Sequence, residues 1–118
     1  MMKKEGFPKS IRIKKKKEWE EVIQKGEKNF GRSLLLLRLK TNKEKSRFGV
    51  SVISGIKGGV KRNRIKRILR EVLRRNKEKF SPGEKIILIY RSRCPDIRYN
   101  DILNEFMNLV TKTDIKNE

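Results

Sequence analysis

Apolar positions along this chain recur with two periods, and the change of period divides it into elements. Trp19, Val22 and Ile23 stand at i, i+3 and i+4, which predicts a short helix opening in the lysine run 14–17 and stopped by Gly26. Residues 34–39, Leu-Leu-Leu-Leu-Arg-Leu, fit a buried strand or a piece of helix. Their brevity and the turn-prone Thr41-Asn42 behind them favour the strand. Residues 47–53 alternate, with Phe48, Val50 and Val52 on one face and Arg47, Gly49, Ser51 and Ile53 on the other. These two runs are expected to pair as an antiparallel hairpin across the polar loop 42–45.

A glycine-containing loop, 54–59, precedes the strongest period in the chain. Ile65, Ile68, Leu69, Val72 and Leu73 predict a helix over 60–79. Ser81-Pro82-Gly83 reads as a turn, and the apolar run 86–90, bounded by charge, as a central buried strand. After the break at Cys94-Pro95-Asp96, Ile102, Phe106, Leu109 and Val110 mark a last helix over 98–111. Phe30, Phe80 and Phe106 are assigned to the core, and Cys94 is read as an incidental free thiol. The whole chain, 1–118, is expected to be one domain, with 1–13 a basic arm and 113–118 a fraying tail. Helix, strand, strand, helix, strand, helix describes an α+β fold, a single domain with a small mixed sheet.

Composition then narrows the chemistry. There is no His and one Cys, which excludes a Ser-His-Asp triad, a Cys-His pair, a His-built metal site, an intrachain disulfide framework and a Cys-cluster zinc site. The longest apolar stretches, four or five residues, fall far short of a membrane-spanning helix. No apolar signal core follows the basic N-terminus, so a cytoplasmic protein is expected. Thirty-three Lys and Arg face fourteen carboxylates, a net charge of +19. Such a surface repels itself and calls for a polyanion, either nucleic acid or an anionic membrane surface.

The charge is concentrated on the central helix. Eight of the fifteen residues from Lys61 to Arg75 are basic, six of them Arg, and Glu71 is the sole acid among them. Stepping about 100° per residue from Ile65, Asn63, Lys66, Arg67, Arg70 and Arg74 form a stripe running to the face opposite the apolar one. Arg62 and Arg64 flank the first turn. Like charges at i, i+3 and i+4 destabilise an isolated helix, whereas a solvated face usually alternates signs. Arginine's planar fork matches phosphate oxygens. Gly58 and Gly59 permit close backbone approach to a helix N-terminus whose free N–H groups suit phosphate.

At these residues the chain resembles a known family. Arg62-Asn63-Arg64-Ile65-Lys66-Arg67, followed by Arg70-Glu71, is similar to the Arg-Asn-Arg signature of the bacterial ribonuclease P protein component. Arg47-Phe48-Gly49-Val50-Ser51-Val52 resembles the strand leading to that motif. Val60 takes the family's apolar position. Glu18-Trp19 and Gly26 resemble its acidic-aromatic pair and helix-ending glycine. The resemblance spans about residues 11–112. Two departures stand out. The family's Ser-Lys-Lys and Gly-Asn-Ala read Ile53-Ser54-Gly55 and Lys57-Gly58-Gly59 here, leaving Lys57 as the loop's stand-in cation. Ile23 and Leu37 replace aromatics that are common in the family's cleft, and an aliphatic chain lacks a π face for base stacking.

The resemblance implies a four-stranded mixed sheet packed with three helices and a left-handed β-α-β crossover, the fourth strand lying near 28–30. It implies an RNA-binding subunit of ribonuclease P, whose catalytic RNA and bound Mg2+ remove the 5′ leader from precursor tRNA. The protein's part is to bind that RNA and the leader and to support magnesium binding by the RNA. No catalytic residue and no metal ligand is expected from the protein, which is expected as a monomer in a 1:1 complex away from membranes. The RNA-binding residues implied are Lys57, Arg62, Asn63, Arg64, Lys66, Arg67, Arg70 and Arg74, with Asn63 either capping the helix or touching RNA. The leader cleft implied is Trp19 with Ile23, Leu37, Val50 and Val52, although Trp19 reads equally well as a core aromatic and the strand residues read better still as ordinary core.

A ribosomal or other structural RNA-binding protein explains the charge equally well, and only the motif's setting argues against it. A protein-only metal nuclease needs clustered carboxylates; Asp101 and Glu105, on one helix face, are the nearest candidates. A helix-turn-helix regulator needs a partner helix a short turn away, where this chain has strands. A membrane-surface helix is the fourth alternative, but the flanking strands give the apolar stripe a sheet to cover.

Overall fold

The computed structural model describes residues 11–41, 45–53, 55–56, 58–94 and 96–116, with the backbone alone at 113–116. The elements are α1 (Lys16–Lys25), β1 (Glu27–Phe30), β2 (Leu34–Lys40), β3 (Arg47–Val52), α2 (Gly59–Arg75), a 3-10 turn (Lys77–Lys79), β4 (Glu84–Tyr90) and α3 (Tyr99–Lys116). The expected arm at 1–13 is described only from Ile11 onward. There Ile13 N–H donates to Phe48 O at 2.9 Å, which seats the chain before α1 along the outer edge of β3.

The strands lie in the order β1-β2-β4-β3. β2 pairs antiparallel with β1 and β4, while β3 runs parallel to β4. The expected β2–β3 hairpin is therefore wrong: β4 separates the two strands. The physical reason is burial. Ile86, Ile87 and Leu88 are fully buried, so β4 needs cover on both faces and partners on both edges. A hairpin of β2 and β3 would leave it at an edge. Helix α2 then makes the crossover that parallel neighbours require.

Strand register divides the side chains between two layers. On one face, α2 and α3 pack Ile65, Leu69, Leu73 and Phe106 against Leu36, Phe48 and Leu88. Phe80 joins Phe48 and Phe106 edge to face, each pair of centroids 6.0 Å apart. On the other face, α1 sets Val22 over Leu37 and Ile87 in a smaller cluster.

Polar contacts pin the layers. Arg38 and Glu84 form a buried bidentate pair, Nε to Oε1 at 2.8 Å and Nη2 to Oε2 at 2.9 Å. Glu105 of α3 accepts from Ser33 N, Ser33 Oγ and Leu34 N at 2.7, 2.7 and 2.8 Å. That carboxylate, a nuclease candidate in the sequence, fastens α3 to the start of β2.

Helix boundaries follow local chemistry. Gly26 ends α1; a Cβ there would stand 2.5 Å from Val22 O, which already accepts the Gly26 N–H at 2.8 Å. Gly58 caps α2 with φ 95°, a left-handed value suited to glycine. Asn63 is therefore inside the helix, and its capping alternative falls away. Helix α2 ends at Arg75, short of 79, and α3 continues to Lys116, past the expected end at 111.

Candidate nucleic-acid interface

Helix α2 presents its ridge because Ile65, Leu69, Val72 and Leu73 fill the core side. Not every predicted arginine stays on that ridge. Arg62 turns back to the end of β3, its Nη1 and Nη2 donating to Ile53 O at 2.8 Å and Val52 O at 2.9 Å. Arg64 Nη2 donates to Ile97 O at 2.9 Å, tying α2 to the segment before α3. Arg74 holds Glu71 through Nε at 2.9 Å and Nη2 at 2.6 Å. In this structure these three side chains tie α2 to its surroundings or to its own Glu71.

Asn63 and Arg67 are exposed, while Lys66 and Arg70 are half-buried along the same stripe. Among the described residues, Lys66, Arg67 and Arg70 have no hydrogen-bond or ion-pair partner. Lys61, exposed in the first turn and absent from the sequence-based set, is also unpaired among them. Lys57 lies outside the described residues. Burial, followed by the neighbouring Arg12 and Arg67 guanidinium groups, lowers the pKa of Arg70. The hydrogen bond from Arg74 does the opposite service for Glu71, holding it below the usual carboxylate range against the effect of burial. The ridge thus stores like-charge repulsion that a phosphate relieves.

The second half of the site lies on the α1 side of the sheet. Three cross-strand rows face that way: Arg47–Lys85–Leu39, Gly49–Ile87–Leu37–Lys28, and Ser51–Ile89–Leu35–Phe30. Helix α1 covers the first two. Lys85 Nζ meets Glu21 Oε1 at 3.1 Å and Glu18 Oε2 at 3.3 Å, and Arg47 meets Glu18 at 3.3 Å. Trp19 lies over Gly49 and donates Nε1–H to Ile13 O at 3.3 Å. The acids hold one flank of α1 down; Trp19 and Ile23 line the other, beside the third row.

That row forms an open floor crossing all four strands, about 14 Å wide by strand spacing. Leu35, Ile89 and Ser51 are half-buried there, and Ile23 is 42% exposed on the wall. The predicted cleft is accordingly revised. Leu37 is buried under α1 and offers no surface. Val50 and Val52 face the opposite layer, Val52 being buried in the main core. Phe30, assigned to the core by size alone, is exposed at the β1 end of the floor. Its sharing of a strand face with Lys28, two residues away in a four-residue edge strand, was the one available signal.

The two halves meet around the outer edge of β3, where the chain before α1 lies. A cavity of about 320 Å³ there is lined by Arg12 and Arg70 from the ridge side and by Trp19 and Gly49 from the groove side, with Val50 between. Gly49 is required for this closeness, since a Cβ would lie 2.9 Å from Trp19 Cζ2. Gly49→Val is expected to cost about 1–3 kcal/mol by overpacking and to push the ring outward. Trp19 is the only tryptophan, so its fluorescence during denaturant unfolding reports both effects; an unchanged spectrum and midpoint would refute this packing.

The comparisons with known proteins agree with one another. The model of the Ribonuclease P family matches residues 7–114. The ribonuclease P protein component of Syntrophus aciditrophicus is 33% identical over 111 residues, covering 94% of this chain and 93% of the relative. That of Clostridioides difficile is 33% identical over 110 residues, covering 92% and 96%. Among solved structures, the RNase P protein of Staphylococcus aureus is 26% identical with a TM-score of 0.78, covering 89% of this chain and 96% of that one. The RNase P protein of Thermotoga maritima, 23% identical with a TM-score of 0.74, shares the fold over 86% of this chain and 96% of its own.

Proposed function

This chain belongs to the ribonuclease P protein component family, and from that premise we infer that its α2 ridge grips RNA phosphates while its α1-side groove receives the 5′ leader of precursor tRNA. Membership makes it a holoenzyme subunit of tRNA 5′ maturation, partnered with ribonuclease P RNA and tRNA substrates. The division of labour within the protein is the inference. It is supported above all by the Lys66–Arg67–Arg70 stripe, whose charge is crowded by Arg12 and which has no acid to answer it among the described residues.

Each part has a physical task. Arg67 and Arg70 offer forks to phosphate oxygens, with Lys66 as a point charge beside them. Gly58 and Gly59 leave the start of α2 open, since a Cβ at either would meet nothing within 4 Å. Arg62 and Arg64 position that turn through the carbonyls of Ile53 and Ile97. The groove floor supplies apolar contact for unstacked nucleotides, a mode single-stranded RNA accepts without base-edge readout.

Magnesium is assigned to the RNA. Glu18, Glu71, Glu84 and Glu105 are each engaged by cations or amides of the protein itself. Among the described residues no group of three potential ligands gathers. The described carboxylates thus offer magnesium no gathered set of ligands. The same reading has one protein monomer per RNA, in the cytoplasm. No described helix is long and apolar enough to cross a membrane.

Reconstitution tests this reading. The protein, a bacterial ribonuclease P RNA and 5′-labelled precursor tRNA are combined at low magnesium, beside RNA alone and protein alone. Efficient cleavage is expected only from RNA plus protein. Cleavage by the protein alone, or no gain over RNA alone, would sink the proposal.

A further inference from the structure

The groove floor ends at the β1 edge in a ring that burial does not explain. Phe30 is 54% exposed, and the Arg91 guanidinium carbon lies 4.9 Å from its ring centroid. Register places Phe30 beside Leu35 on the α1 side of the sheet, and Arg91 follows β4 on that side. Arg91 is held there by its own backbone, whose N–H donates to Ser33 O at 2.7 Å. Among the described residues its guanidinium has no hydrogen-bond or ion-pair partner, so the ring is its contact.

Among the described residues the groove holds one other aromatic, and it is differently placed. Trp19 is packed on Gly49 and tied by Nε1 to Ile13 O, so its ring is a fixed, half-buried wall at the β3 end. Between the two rings, among the described residues, stand Ile23, Leu35, Ile89 and Ser51, which lack a π face. Phe30 is thus the groove's most exposed aromatic surface, and it comes with a cation.

We propose that Phe30 and Arg91 form a base-stacking platform at the β1 end of the groove, which takes a nucleotide of the single-stranded 5′ leader. This rests on the groove reading given above. The pairing suits that occupant. A ring stacks on any base, so the contact tolerates varied sequence. Arg91 adds cation–π attraction and a charge within reach of the adjoining phosphate. The occupant is a nucleic acid rather than an apolar peptide because Arg91 lies over the ring and the exposed Lys28 shares its face of β1, in a chain carrying +19.

The test uses the reconstituted holoenzyme and measures affinity for precursor tRNA with a full leader and for the same tRNA without one. Wild type is expected to prefer the leader-bearing form. Phe30→Ala and Phe30→Leu should each lower affinity for that form by about tenfold, while leaving the leaderless form and the thermal transition unchanged. Phe30→Trp, which keeps a π face, should retain wild-type preference. If wild type prefers the leader and Phe30→Ala keeps that preference, the platform is overturned and the groove reading survives. Equal losses for both substrates also overturn it. A wild-type enzyme indifferent to the leader overturns the groove reading and the platform together.

Discussion

Glu84→Ala is expected to cost about 3–5 kcal/mol of folding free energy, because it strips the partner from a buried charge. The side chains of Arg38 and Glu84 are 6% and 1% exposed, joined by two hydrogen bonds at 2.8 and 2.9 Å. Glu84 also accepts Ser81 N–H at 2.6 Å, closing the turn into β4. The Arg38 guanidinium sits 4.9 Å from the Phe80 centroid, so it cannot turn to water without disturbing the aromatic cluster. Total stability of such domains is about 5–15 kcal/mol. The variant should therefore lose about 10 °C or more in its thermal transition. Replacing both partners, as Arg38→Met/Glu84→Leu, should restore most of the loss, since an apolar pair carries no desolvation penalty. A single variant within about 1 kcal/mol of wild type, measured by denaturant unfolding, would show that the pair is not a structural tie.

The double variant Arg67→Ala/Arg70→Ala should behave in the opposite way. It should lose at least about a hundredfold in affinity for ribonuclease P RNA, from two charge-assisted phosphate contacts. The slope of log affinity against log salt should become shallower by about two units. Stability should hold or rise. The sign follows from Arg70: burial and the nearby guanidinium groups lower its pKa on folding. A base that binds its proton less tightly when folded is destabilising wherever it is charged in both states. At neutral pH Arg70 is charged in both, and the deficit is lifted only as pH rises through its alkaline range. Removing that charge therefore relieves the native state. Filter binding across a salt series, paired with thermal unfolding, separates the outcomes. An unchanged slope, or a variant that melts well below wild type, would refute the phosphate ridge.

Much of this was legible in the residues. The 3.6-residue period at Ile65, Leu69 and Val72 placed α2, and the loss of any internal acid beyond Glu71 marked its outer face as a site for a polyanion. The continuous run in β4 announced a central strand. The Arg-Asn-Arg setting pointed to the family that the comparisons then showed. What failed were statements about partners. Chain proximity suggested β2 against β3, but the burial demand of β4 on both faces won. The helical period places Arg62 and Arg64 only as flanking the first turn of α2, and no spacing rule shows that their side chains reach the Ile53 and Ile97 carbonyls. Phe30 looked like core because large aromatics bury by default, and α1 stops short of its row.

Periodicity and charge count are local properties, so the sequence by itself determined which residues form helices and strands, which side of each is apolar, and that an anionic polymer must answer the surplus of base. Only the tertiary structure decided which arginines remain available and which apolar side chains stay open. Those outcomes depend on what another element lays over each face: α1 covers two rows of the sheet and leaves the third to solvent, and the carbonyls at the end of β3 and before α3 claim two arginines that no spacing rule connects to them.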